Sequence, residues 1–153
     1  MKPVDVRTEI EIDRPVEVVA AYAADPDNAP VWYANIEAVA WRTDPPLRVG
    51  SVVGFVARFL GRRLAYDYEF VELEPGVRLV MRTQQGPFPM ETTYEWRATD
   101  EGRTHMSLRN RGTPSGFKAV ASVFMGPAMR RANLADVARL KSILESEPST
   151  KEQ

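Results

Sequence analysis

From Val4 to Asn110 the chain alternates apolar and polar residues, interrupted mainly by turns, and then gives way to one long helical stretch, Ser115–Glu145. A period of two is the mark of strands with one buried and one wet face, and successive strands joined by short turns pair antiparallel. Such a sheet has an apolar face that something must cover. The C-terminal helix is the one stretch long enough to do so. The expected fold is therefore α+β, a strongly curved antiparallel sheet wrapped around a long C-terminal helix, with a cavity wherever the cover is incomplete.

The first strand, Val4 to Asp13, places Val4, Val6, Thr8, Ile10 and Ile12 on one face and charges on the other. Asp13-Arg14-Pro15-Val16-Glu17 then opens a helix, with Pro15 suited to the first helical position. Asp25-Pro26 stops it and starts a second short helix over Asn28–Tyr33, which Trp32 closes as a rim or packing residue. Six more strands follow, giving seven in all. Turn residues separate them at Asp44-Pro45-Pro46, Leu60-Gly61, Glu74-Pro75-Gly76, Gly86-Pro87-Phe88-Pro89 and Asp100-Glu101-Gly102. The alternation breaks at Phe70-Val71-Glu72, which predicts a bulge there.

The long helix carries Gly126-Pro127 near its middle, where a kink or restart is expected because proline lacks a backbone donor and crowds the preceding turn. Phe117, Val120, Ala121 and Phe124 form a stripe before the proline; Met129, Asn133, Val137, Leu140 and Leu144 form one after it. At about 100° per residue the two stripes face nearly opposite sides of a straight helix. The second half is expected to clamp the sheet, and the first to control access or meet a partner. Residues 1–146 make one domain, with 147–153 as a polar tail.

Charge excludes some function classes. The net charge of −1 gives no global basic field for nucleic acid or anionic lipid. Arg58, Arg62, Arg63, Arg78 and Arg82 invite a nucleic-acid reading, but no aromatic is interleaved on the outward face and no groove-reading motif appears, so that reading is rejected. No apolar run approaches membrane-span length, and the N-terminus lacks a signal-peptide core, so a cytoplasmic protein without integral membrane association is expected. There is no cysteine, and the one histidine, His105, sits on the wet face among Arg103, Ser107 and Arg109. A Ser-His-Asp triad or a histidine metal site therefore has no basis in the sequence. No metal and no cofactor are expected.

Parity gives the candidate cavity lining: Phe55, Tyr66, Tyr68, Met81, Thr83, Thr92, Tyr94 and Met106 from the strands, with Phe117, Val120 and Phe124 from the helix. Trp32 and Phe88 are the candidate rim. Tyrosines offer an apolar ring with one hydrogen-bonding tip, and methionines adapt to irregular apolar shapes. No inward carboxylate is evident as a base except Glu72, at the parity break.

The order strand, two short helices, six strands, long helix resembles the START-like superfamily. Within it, the chain is similar to the polyketide cyclase/dehydrase and lipid-transport-like proteins of the helix-grip fold. The resemblance rests on Ile10-Glu11-Ile12-Asp13-Arg14-Pro15-Val16-Glu17-Val18-Val19, Asp25-Pro26, Trp32, Val49-Gly50-Ser51, Gly61-Arg62, Glu72-Leu73-Glu74-Pro75-Gly76, and Leu134 through Leu140-Lys141 to Leu144-Glu145. These residues punctuate a fold and form no catalytic signature. The resemblance implies a pocket for lipids, sterols, polyketides or other apolar molecules, and no particular reaction. Three readings follow. The first is cofactor-free binding of a small hydrophobic molecule between sheet and helix. The second is a cyclase/dehydrase-type enzyme that polarises a carbonyl with pocket tyrosines. The third is a partner-binding or homodimerisation module using the first half of the helix, its pocket vestigial.

Overall fold

The structure is a computed structural model and describes residues 4–59, 61–84, 89–113 and 117–147, with side chains for all of these except 59 and 117–125. Seven strands form one sheet in the order β1-β7-β6-β5-β4-β3-β2, with every neighbouring pair antiparallel. They are β1 (Val4–Ile12), β2 (Ile36–Trp41), β3 (Val52–Phe59), β4 (Arg62–Glu74), β5 (Arg78–Thr83), β6 (Met90–Ala98) and β7 (Thr104–Gly112). Consecutive strands from β2 to β7 are joined as neighbours. β1 instead closes the far edge, running against β7 from Val4↔Gly112 to Ile12↔Thr104.

This order puts β1 and β2, adjacent in sequence, on opposite edges of the sheet. The segment between them must cross the sheet, and it does so as α1 (Val16–Ala24), a 3-10 turn (Pro26–Asn28) and α2 (Ala29–Trp32). Pro15 stands at the N-cap of α1 in an extended conformation, so the helix starts at Val16, one residue after the expected first helical position. The Asp25 carboxylate accepts from the Asp27 backbone N–H at 3.0 Å and so starts the 3-10 turn. Val19, Ala20, Ala23, Ala29 and Trp32 are buried residues of this crossing.

The expected bulge in β4 is present: the β4/β5 register shifts between Phe70 and Glu72, and β2/β3 shifts between Ile36 and Ala38. Each extra residue bends its strand and increases local twist, which curls the sheet. Gly76 and Gly102 occupy positive φ (+78° in both) at the β4–β5 and β6–β7 turns, where a side chain would be strained. Val77, in step with the inward residues Leu79, Met81 and Thr83, is nonetheless 47% exposed because it belongs to the turn rather than to β5.

α3 (Phe117–Ser146) is a single 30-residue helix with Pro127 inside it, so Gly126-Pro127 does not divide it into two elements. Proline's φ is itself helical, and the packing that follows holds the chain in register. Downstream of it, Asn133, Val137, Leu140 and Leu144 are buried, as their spacing predicts. The C-terminal end is fastened to the β1–α1 corner by three polar contacts. Arg14 Nη1 donates to Leu144 O at 2.6 Å, Asp13 N to Glu145 Oε2 at 2.7 Å, and Lys141 Nζ to Glu11 O at 2.8 Å. The stripe Phe117–Phe124, and with it any dimer surface there, lies outside the described side chains.

The outer face of the sheet carries paired charges. Acids of β1 meet basic side chains on β7 and at the turn before it, as in Asp5–Arg109 (2.7 Å), Glu9–His105 (2.8 Å) and Glu11–Arg103 (3.2 Å). Arg58 and Arg63 share Glu37, and Arg82 and Arg111 share Glu91. Glu72 is exposed and pairs with Arg78, so it is no inward base; the bulge turns it to the wet face. Ser107, expected outside, and Thr93, which alternates with the inward Thr92 and Tyr94, are buried on this same face because longer residues, Glu95 and Arg109 respectively, stand across from them in register.

Leu140 is 0% exposed at the centre of the clamp. Leu140→Ala is expected to lower stability by roughly 2–5 kcal/mol, read from urea unfolding, because a buried leucine leaves a cavity behind. A loss below about 1 kcal/mol contradicts the clamp.

Candidate functional site

Between the concave sheet face and α3 lies a cavity of about 420 Å³. Its apolar wall comes from Phe55 on β3, Tyr68 and Phe70 on β4, Leu79 and Met81 on β5, and Ala128, Met129 and Ala132 on α3. The rings of Phe55 and Tyr68 meet edge to face at 5.8 Å.

Polar groups are few and come from several different elements. Tyr33 follows α2 and reaches Tyr94 of β6, and the two hydroxyls share a short hydrogen bond. Thr92 Oγ1 donates to Asn110 Oδ1 at 2.7 Å, joining β6 to β7. α3 presents Asn133 and Asp136, one helical turn apart and both buried, at 5% and 4% exposure. The Asp136 carboxylate accepts from the Ala34 backbone N–H at 3.1 Å, which ties the helix to the chain leaving α2. The amide nitrogen of Asn133 has no hydrogen-bond partner among the described residues.

Burial sets the protonation of this cluster. It raises the Asp136 carboxyl above the ordinary carboxylate range, an effect that the Ala34 N–H and the Arg139 guanidinium partly offset. It also raises Tyr33, with the nearby Tyr94 and the Asp136 charge adding to the effect. Tyr94 and Tyr68 are raised for the same first reason, burial. All three phenols are therefore neutral hydrogen-bond donors at neutral pH.

Of the residues expected to line the cavity, Phe55, Tyr68, Met81, Thr92 and Tyr94 are on its wall. Tyr66 is off it, half-buried with its ring edge-on to Tyr68 at 5.7 Å. Thr83 is buried beside a separate recess at the end of the sheet, with Met90 and Arg111. Met106 is fully enclosed between Ile10 and Trp96, where the sheet is completely covered. Trp32 is also fully enclosed, 4.0 Å from the Tyr33 ring, and so belongs to the core rather than the rim. Phe88 lies outside the described residues, as do the side chains of Phe117, Val120 and Phe124.

Tyr33, Asn133 and Asp136 are additions to the expected lining. Tyr33 sits at a helix end, where strand parity does not apply. Asp136 carries a legible signal, since it lies three residues after Asn133 and four before Leu140, inside the buried stripe. An acid at that spacing is unusual on a purely structural face. Among the described residues no three His, Cys, Asp or Glu side chains are grouped as a metal would need, and no helix is long and apolar enough to cross a membrane.

Residues 3–145 match the family model for polyketide cyclase/dehydrase and lipid transport proteins. No curated protein matches the sequence. Among solved structures, the fold is similar to the Zhui aromatase/cyclase from Streptomyces sp. R1128 (TM-score 0.79, 16% identity, 94% of each chain). It is also similar to TTHA0849 from Thermus thermophilus (TM-score 0.73, 20% identity, 94% of this chain and 99% of that one). A third likeness is to the di-domain ARO/CYC StfQ from the steffimycin biosynthetic pathway (TM-score 0.75, 14% identity, 92% of this chain and 50% of that one).

The elevated Asp136 carboxyl has a stability consequence. Between its ordinary and its raised value the folded protein binds more protons than the unfolded chain, so this group makes stability fall as pH rises through that window. Asp136→Asn keeps an oxygen for the Ala34 N–H and removes the charge. Relative to the native protein it is expected to melt higher at neutral pH, with the gain shrinking as pH falls below the raised value. Melting curves from about pH 3, below the ordinary carboxylate value, up to neutral pH check this. A variant that is less stable at neutral pH contradicts it.

Proposed function

The chain belongs to the polyketide cyclase/dehydrase and lipid transport family, and from that premise we propose that it binds a small, mostly apolar molecule in the cavity between the sheet and α3. The observation that carries this reading is the cavity itself. Its volume of about 420 Å³ falls in the ordinary range for ligand sites, and its apolar wall is interrupted by a few convergent polar groups, the usual form of such a site. A protein needing only stability would fill this space, since a void of that size forfeits packing on every side.

A second reading is supported by a specific feature. The Tyr33–Tyr94 hydroxyl pair stands in the field of the buried Asp136 carboxyl. A neutral phenol donates to a carbonyl oxygen, and a carboxyl whose pKa is raised by burial takes up a proton more readily than an ordinary carboxylate. That combination suits proton transfer next to a ligand carbonyl, the chemistry of a cyclase or dehydrase. Under this reading Tyr94→Phe retains ligand and loses turnover on a polyketone substrate by about 10²-fold or more. Turnover unchanged in that variant leaves simple binding as the function.

Native mass spectrometry of freshly purified protein tests the binding reading. The expected result is a noncovalent adduct of a few hundred daltons that is released on denaturation, absent in Met81→Trp, whose larger ring occupies the cavity. Ligand at about 100 times its Kd also adds ~2.7 kcal/mol to stability, visible as a raised melting temperature. A bare mass, together with no thermal shift across a panel of lipids, polyketides and aromatic metabolites, contradicts the reading.

A further inference from the structure

A second recess, of about 510 Å³, lies between α1, the β2–β3 connection and the β4–β5 turn. It shares only Ala24, Asp25 and Pro26 with the main cavity, so the corner where α1 meets the 3-10 turn is a wall between the two. Its lining is largely apolar: Trp96 and Ala20 are buried there, and Leu47, Leu73 and Trp41 are half-buried. The volume is that of an ordinary small-molecule site, and an apolar hollow left unfilled forfeits packing.

All the formal charge on this recess is negative. Glu17, Asp25 and Asp27 line it from exposed positions, and no lysine or arginine does. The two aspartates have structural duties that use one oxygen each. Asp25 Oδ1 accepts from the Asp27 N–H at 3.0 Å, and Asp27 Oδ1 accepts from Trp41 Nε1 at 2.9 Å. Neither contact supplies a counter-charge, and none of the three acids has a basic partner among the described residues. The acids of the outer sheet face, such as Glu37, Glu91 and Asp5, are by contrast paired with arginines. The Asp27 contact also holds the Trp41 indole at the recess, and tryptophan is the ring that attracts cations best.

We propose that this recess is a second binding site, separate from the main cavity, for an organic cation with an apolar body and one ammonium group. The body lies against Trp96, Leu73 and Leu47. The ammonium stays at the exposed edge with Glu17, Asp27 and the Trp41 ring, where it keeps part of its hydration and avoids the cost of burying a charge. A neutral molecule of the same shape gains the apolar contact alone, and an anion meets three like charges.

One chain length with different head groups separates the terms: octylammonium, 1-octanol and octanoate, each titrated into isotope-labelled protein at neutral pH. The Trp41 indole N–H signal, identified by its loss in Trp41→Phe, reports this recess, and the Met81 and Met129 methyl signals report the main cavity. Octylammonium is expected to shift Trp41 and to bind there at least about fivefold tighter than 1-octanol, with octanoate weakest. Glu17→Gln combined with Asp27→Asn, which keeps an oxygen for the Trp41 ring nitrogen, removes that advantage. The native order is itself decisive, so the test does not depend on the variant folding. 1-Octanol or octanoate acting on Trp41 as tightly as octylammonium overturns the proposal, as does a preference for octylammonium that survives the double variant. Octylammonium that moves the Met81 and Met129 methyls but not Trp41 overturns it while leaving the binding reading of the main cavity intact. No shift of Trp41 with any of the three overturns it as well.

Discussion

The concave face of a seven-stranded sheet is too apolar to leave in water, and half of one helix covers it. Val137, Leu140 and Leu144 go fully under, and each such burial stabilises by about 1.5–3 kcal/mol. That contact fixes where α3 lies. The polar fastenings at its end, Arg14 to Leu144 O and Asp13 N to Glu145, orient the helix rather than drive its docking. Everything at the site follows from this placement. Because the helix is tight against the sheet at Leu140 and Leu144, its middle, from Ala128 to Asp136, spans the open part of the curved sheet. The cavity lies under that span.

The curvature and the crossing segment finish the enclosure. Register shifts at Phe70/Glu72 and Ile36/Ala38 bend the strands, and the edge-to-edge connection through α1 and α2 brings Tyr33 beside Tyr94. The Ala34–Asp136 hydrogen bond then links that connection to α3. Three separate parts of the chain thus converge on one small polar patch within an otherwise apolar wall. Their convergence raises the Asp136 carboxyl and the tyrosine phenols by the same physical cause, loss of water around the charged form.

Strand parity makes most of this fold legible in the sequence, because period-two alternation is a direct record of which face is buried. It brings out the strands, the β4 bulge and the inward residues Phe55, Tyr68, Met81, Thr92 and Tyr94; helical spacing does the same for the stripe Asn133–Leu144. Parity names a face, however, and not a position along it. Thr83 and Met106 share the inward face, but Thr83 falls beyond the cavity and Met106 beneath complete cover. Asp136 escapes a search for apolar stripes on α3, although an acid inside the stripe is the more telling residue. Tyr33 depends on the crossing path of α1 and α2, a long-range property with no local periodic signal.

The central claim is that the space between sheet and α3 exists to be occupied. A crystal structure of the protein, frozen without added ligand directly after purification, tests it most directly. The account predicts continuous density in the cavity for a compact molecule, in contact with the wall formed by Phe55, Tyr68, Met81 and Met129. A cavity closed by repacking of Met81, Met129 and Phe55 onto one another contradicts it.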